Sequence, residues 1–180
     1  MRGRRQQILD AALAIADSDG LGKVSMRTVA EDVGVTPMAL YRHFDSKVAL
    51  LDGMVERLVT SLRPEQVTGS WDERLTALAH GYRSLAQRHP WSADLLFSRP
   101  SVTPDAARVT EFICAAIREA GAPESQVGRL ERLVTTFVIG FSASEALGRF
   151  AGRPVDFDAE FDADLADLRQ LIKAAGDPKT

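Results

Sequence analysis

The chain has 180 residues, 45% of them apolar and 26% charged, with a formal net charge of −3. Length and apolar content allow one domain or two small ones with a sizeable core, and the charge excludes a uniformly basic polycation. The single cysteine, Cys114, excludes an intrachain disulfide and fits a reducing cytoplasm, the compartment the sequence predicts.

Charge is unevenly spread. Residues 1–50 carry seven Lys/Arg against six Asp/Glu, a balance of +1; residues 51–180 carry fifteen against nineteen, a balance of −4. The basic extreme is the N-terminal tip, with Arg2, Arg4 and Arg5. Two readings apply to it: an arm lying along phosphates or in a minor groove, or a solvated terminus. The apolar stretch Ala11–Ala16 is short and bounded by acids, so no secretory leader is expected.

The segment from Ser25 to Leu51 is the most informative. Ser25 can cap a helix, after which Val29, Ala30 and Val33 recur at helical spacing. Gly34 supplies the permissive backbone that a helix end needs. Thr36-Pro37 restarts the helix with a hydroxyl at the cap and proline at the first position. The spacing predicts a second short helix from Pro37 to about Phe44, with Leu40 and Phe44 inward. Met38, Ala39, Tyr41, Arg42 and His43 then face outward. Asp45-Ser46 caps a third helix with Lys47 in its first turn. A lysine there opposes the helix dipole, which makes sense beside a phosphate. Helix, tight turn, helix is how proteins place one helix in the major groove.

The rest reads as successive helices, an all-α chain with no alternating strand pattern. Ser46–Leu62 is a connecting helix, with Leu50, Leu51, Met54, Val55, Leu58 and Val59 on its apolar side. Pro64 to Gly69 breaks the pattern. Ser70 and Glu73 predict a capping box and a helix through Arg88, with Leu75, Leu78, Tyr82 and Leu85 buried. A shorter helix comes next at Trp91–Phe97, then one from Thr103-Pro104 to Ala120, then a long one at Glu124–Phe150. This long helix has one stripe of Leu130, Val134, Phe137 and Phe141 and another of Thr136, Gly140, Ala143 and Leu147. A helix apolar on two sides needs two partners. After a loop at Arg153–Asp158, a last amphipathic helix carries Phe161, Leu165, Leu168, Ile172 and Ala175 on one face. The longest uncharged apolar run, Leu133–Ser144, is well short of the roughly 18 residues of a membrane span, so no membrane partner is expected.

Three pieces, ILDAALAIADSDGL at Ile8–Leu21, SMRTVAEDVGV at Ser25–Val35 and MALYRHFDSKVALL at Met38–Leu51, resemble the DNA-binding domain of the TetR (tetracycline-repressor) family of bacterial transcription regulators. The resemblance covers about the first third of the chain. It implies a helix-turn-helix domain at residues 1–48, and a helical ligand-binding and dimerisation domain at 49–180. It implies a repressor that binds a palindromic operator in double-stranded DNA and is released by a small-molecule effector, with a homodimer formed through the helices at 124–150 and 160–175. On this pattern Arg27 and Thr28 sit early in the first helix of the motif. Thr36, Met38 and Ala39 face bases, and Tyr41, His43 and Lys47 contact phosphates. Arg4, Arg5 and Arg42 complete the DNA-binding set. Met38 and Ala39 depart from a polar base reader, but both can touch thymine methyls. Other readings stand beside these: Tyr41 packing on a neighbouring helix, and Arg42 and His43 simply solvated.

A ligand site between bundle helices would draw on large side chains: Tyr82, Trp91, Phe97, Phe112, Phe137 and Phe141, with Trp71 also in reach. Each could equally be core. Glu145, the only charge between Arg132 and Arg149, could recognise a cationic ligand or pair with an arginine. His80 reads as exposed, and Cys114 as a small buried hydrophobe. Against an enzyme, the sequence has no HExxH, no C-x-x-C, no complete nucleophile elbow and no phosphate loop, so neither a cofactor nor a metal is expected. A ligand-independent architectural DNA binder is the first alternative, and a helical enzyme stands behind it.

Overall fold

The computed structural model describes residues 3–98 and 104–176, and every regular element among them is helical. The predicted Thr103 cap, Arg2 and the Phe97 side chain lie outside the described residues.

Helix α1 (Arg4–Asp19) buries Ile8, Leu9, Ala11, Ala12 and Ala16. It starts one turn before Ile8, where the family-like segment begins, so Arg4 and Arg5 are helical residues and not a trailing arm. The Arg5 guanidinium lies 4.3 Å from the centroid of the Phe44 ring, which holds this first turn against the next elements.

Helix α2 (Met26–Val33) begins with a reciprocal cap. The Thr28 N–H donates to the Ser25 hydroxyl at 3.1 Å, and the Ser25 N–H donates to the Thr28 hydroxyl at 3.0 Å. Gly34 ends the helix in the left-handed region, φ 71°, where a side chain would be strained. Helix α3 (Pro37–Tyr41) is capped by Thr36, whose hydroxyl accepts from the Ala39 N–H. It stops before the predicted Phe44. Arg42 and His43 form a turn that swings Phe44 back inward to 2% exposure, beside the fully buried Leu40. Helix α4 (Lys47–Thr60) starts at Ser46, whose hydroxyl accepts from the Ala49 N–H at 3.1 Å.

A 3-10 turn at Pro64–Gln66 leads to α5 (Trp71–Arg88). Both the N–H and the hydroxyl of Ser70 donate to the Glu73 carboxylate, at 2.8 and 2.7 Å. Helices α6 (Ser92–Ser98), α7 (Pro104–Glu119), α8 (Glu124–Ala146) and α9 (Phe157–Ala175) complete the described chain. Helix α8 ends before the predicted Phe150, because the chain turns through Gly148 at φ 70°. Asp156 caps α9 by accepting from the N–H groups of Asp158 and Ala159.

The buried side chains form two clusters. One joins α1, α2, α3 and α4 around Ile8, Val29, Leu40, Phe44, Leu50 and Met54. The other joins α5, α7, α8 and α9 around Leu78, Ile117, Leu130, Val134, Phe161 and Ile172. Helix α4 touches both sides: it packs on α1 and also on α6 and α7. Its Gly53 permits the α1 contact, since a Cβ there would lie 2.9 Å from a Phe44 ring carbon and 3.0 Å from a Leu9 methyl.

Candidate functional site

The first site is the outer surface of α3 and the start of α4. Met38 is 73% and Tyr41 45% exposed. Thr36, Arg42, His43 and Lys47 are exposed as well, while Ala39 is half-buried. Leu40 and Phe44 root this surface in the core, so its side chains project from a fixed backbone. Lys47 occupies the first position of α4 and brings a cation to a helix N-terminus, where the free N–H groups already favour an anion.

The remaining residues of this set are placed differently. Arg27 is exposed and donates to Glu31 at 2.9 Å, one turn along, and its hydrogen bond to this carboxylate raises its pKa further. Thr28 is half-buried; its hydroxyl accepts from Ser25 and lies 2.9 Å from the Lys23 carbonyl, so its bonding capacity serves the α2 cap. Arg4 donates to Gln7, and Arg5 lies over Phe44. Val48, which the sequence motifs did not single out, is 55% exposed beside Lys47; its position at the first turn of a capped helix was the available signal.

The second site is a cavity of about 110 Å³ bounded by α4, α5, α6, α7 and α8. Val59 of α4, Leu78 and Tyr82 of α5, Leu96 of α6, Ile113 of α7 and Val138 of α8 are among its walls. Of the residues the sequence suggested for a ligand site, Tyr82 lines it. Burial pushes the Tyr82 phenol well above its ordinary pKa.

The other suggested residues with described side chains lie elsewhere. Trp91 donates its indole N–H to Asp17 of α1 and packs at the edge of the first core. Phe112 lies 5.6 Å from the Arg74 guanidinium, which itself pairs with Glu119. Phe137 stacks on Phe161 at 5.8 Å, and Phe141 meets Phe161 at 5.0 Å, so these rings join α8 to α9. Glu145 is not turned to the cavity. Arg83 of the same chain donates to both of its oxygens, at 2.7 and 2.5 Å, and Gln87 adds a third bond at 3.2 Å. Arg83 also reaches Asp158 at 2.8 Å and holds the Glu145 carboxyl below the usual range. Helical periodicity identifies an inward face but not whether that face meets a neighbour or a void.

Two other sequence expectations changed in detail. His80 is only partly exposed, with Nε2 2.9 Å from Asp162 and its ring edge-on to Phe161. Cys114 is half-buried, and burial pushes its thiol pKa up. Among the described residues no helix is long and apolar enough to cross a membrane.

Comparison with known proteins matches both halves of the chain. Residues 8–54 match the family described as bacterial regulatory proteins, tetR family, and residues 63–168 match the tetracyclin repressor-like C-terminal domain. The transcriptional repressor DrrR1 of Streptomyces coeruleorubidus is 32% identical over 173 residues, which cover 94% of this chain and 64% of DrrR1. The chain thus spans less than two thirds of the length of curated relatives it matches, 64% and 62% for two of them. The structure of BioQ with its double-stranded DNA operator is similar at a TM-score of 0.76 and 25% identity, covering 96% of this chain and 99% of BioQ. ActR of Streptomyces coelicolor in complex with actinorhodin shares the fold at a TM-score of 0.83 and 20% identity, covering 98% of this chain and all (100%) of that one. With both domain matches in sequence order on one all-helical fold, the chain belongs to the TetR family of bacterial regulatory proteins.

Proposed function

We propose that this chain is a dimeric, ligand-responsive transcriptional regulator: a repressor that binds a palindromic operator and leaves it when a small molecule occupies the cavity. The observation that carries this reading is the span of α4. Its N-terminal turn lies at the exposed α3 surface, and its Val59 lines the cavity. A ligand that prefers a different α4 position shifts the population away from the DNA-fitting state. BioQ with its operator and ActR with actinorhodin support such a use of this fold.

In this reading residues 1–48 form the DNA-reading unit and residues 49–180 the sensing and dimerising unit. Met38, Ala39 and Thr36 face bases, aided by Arg27 and Arg42. Tyr41, His43 and Lys47 bind phosphates, with Arg4, Arg5 and Thr28 at the edge of the footprint. Within the sensing unit Tyr82 contacts the effector. A second copy of the chain docks on α8 and α9, where Leu133, Leu147 and Leu171 are 40%, 52% and 43% exposed. Two-fold symmetry then presents two α3 helices to successive major grooves. The protein works in the cytoplasm as a binding protein and not as an enzyme.

The test is selection of bound duplexes from a random DNA pool by purified protein at near-physiological salt. A two-fold palindrome is the expected result. Weak, salt-sensitive binding with no consensus would overturn the sequence-specific reading in favour of an architectural DNA binder.

A further inference from the structure

The cavity has a definite chemical character. Among the described residues fifteen line it; twelve are apolar and three carry hydroxyls, Tyr82, Thr110 and Thr135. Among the described residues no acidic, basic or histidine side chain lines it. The Thr135 hydroxyl is already committed, donating to Glu131 at 2.9 Å. The Tyr82 hydroxyl has no hydrogen-bond partner among the described residues, and the phenol is neutral, its pKa raised further by burial. It is a neutral donor on an apolar wall.

An ion entering this space would exchange water for hydrocarbon without a counter-charge, a cost of several kcal/mol in real proteins. The adjoining cleft does not supply one sign of charge either. It shares Val59 and Val109 with the cavity and is lined by one acid, Glu65, and one base, Arg108. The cavity's space of about 110 Å³ is on the scale of a cavity that accepts a single aromatic ring, roughly 150 Å³.

Resting on the sensor reading above, we infer that the cavity takes neutral hydrophobic molecules that carry a hydrogen-bond acceptor, a lipophilic ketone or ester with a ring-sized apolar body, and rejects organic anions and cations. The ring fills the apolar space and the carbonyl accepts from Tyr82. A neutral carbonyl satisfies the phenol and leaves no charge buried. A hydrocarbon of the same shape leaves the phenol unpaired.

The test compares acetophenone, ethylbenzene, benzoate and benzylammonium at pH 6.5, where both ions are almost wholly charged, measured by calorimetry on the full chain. Acetophenone should bind tightest. Ethylbenzene should be weaker by about three- to tenfold, the worth of one neutral hydrogen bond. Benzoate and benzylammonium should be weaker by at least ~100-fold, the cost of an unpaired buried charge. Tyr82→Phe, which keeps the ring volume, should erase the preference for acetophenone over ethylbenzene; its thermal unfolding curve checks that the variant is folded. Equal or tighter binding of either ion, or no binding of acetophenone, overturns the ligand class. A preference unchanged in Tyr82→Phe overturns the placement of the carbonyl. Operator affinity is measured in parallel with and without acetophenone. If acetophenone binds with the expected selectivity and leaves operator affinity unchanged, the ligand class stands and the sensor reading fails. If the operator is bound but the selectivity is absent, the ligand class fails and the DNA-binding part of the reading stands.

Discussion

The indole N–H of Trp91 donates to a carboxylate oxygen of Asp17 at 2.6 Å, across 74 residues of sequence. The same oxygen lies 2.7 Å from Nδ1 of His89. Asp17 is near the end of α1, and His89 and Trp91 flank the turn between α5 and α6. This contact fixes the helix-turn-helix unit to the helical body at a point away from α4. Leu96, farther along α6, reaches the cavity, so α6 has one end at the cavity and the other at α1.

Asp17→Ala should lower the free energy of unfolding by about 1 kcal/mol, the usual net worth of such a hydrogen bond. Trp91→Phe should cost a similar amount plus some packing. Because the two share one interaction, the double variant should be less destabilised than the sum of the singles. Urea unfolding of the four proteins measures this, and strict additivity would mean that the contact contributes nothing.

Arg83 is nearly buried, and its loss leaves Glu145 with Gln87 as its one partner among the described residues. Arg83→Ala should therefore destabilise by about 3 kcal/mol, as removal of one member of a buried pair does. The pH dependence comes from the direction of the Glu145 shift. Its carboxyl is held below the ordinary value of 4.5, chiefly by the hydrogen bond from Arg83. The folded state therefore binds that proton less readily than the unfolded chain. The stabilisation is present above pH 4.5 and is lost as pH falls through the lower folded-state value. Glu145→Gln should be less stable at neutral pH and should show a shallower loss on acidification. An unchanged acid limb in thermal unfolding would remove Glu145 from the acid response.

Lys47→Ala should weaken binding to all DNA sequences alike and reduce the slope of log affinity against log salt by about one. Binding isotherms over a range of salt read both quantities. An unchanged slope would take Lys47 out of the phosphate contacts.

Arg27→Ala should relax the preference at one operator position in each half-site. Glu31, which holds Arg27 in the free protein, competes with DNA for it, so Glu31→Gln should tighten binding modestly. Competition assays on singly substituted operators decide the matter: uniform weakening at every site by Arg27→Ala would make Arg27 a phosphate contact.

Leu133→Arg combined with Leu171→Arg should convert a dimer into a monomer without unfolding the chain, because both side chains are exposed in the single subunit. Sedimentation gives the mass and circular dichroism the helix content. A variant that stays dimeric would move the interface away from these two positions.

Helix starts are legible in the sequence where a side chain announces them. Ser25, Thr36, Ser46 and Ser70 each stand where a helix begins. The start of α1 is not, because Gly3 precedes it and no side chain caps it. The ends of α3 and α8 escape the sequence because each is set by tertiary demand: Phe44 must return to the core, and Gly148 turns the chain toward α9. The exposed face of α3 emerges from spacing alone. The cavity does not, because aromatic size suggests a pocket while the aromatics Phe137, Phe141 and Phe161 satisfy one another. The walls are instead aliphatic residues such as Leu78, Ile113 and Val138, indistinguishable in sequence from ordinary core.

Along α4, Gly53 is the point of closest approach to the first core, and Val59 borders the cavity. Six residues of helix separate them, roughly 9 Å of axial rise. A chimera that grafts another reading head onto this body must therefore cut within a single continuous rod whose two ends answer to different neighbours. A donor segment that brings its own counterpart of Gly53, together with the ring and methyl that lie against it, keeps this close approach intact. The segment to exchange is thus the head plus the first half of α4, longer than the helix-turn-helix itself.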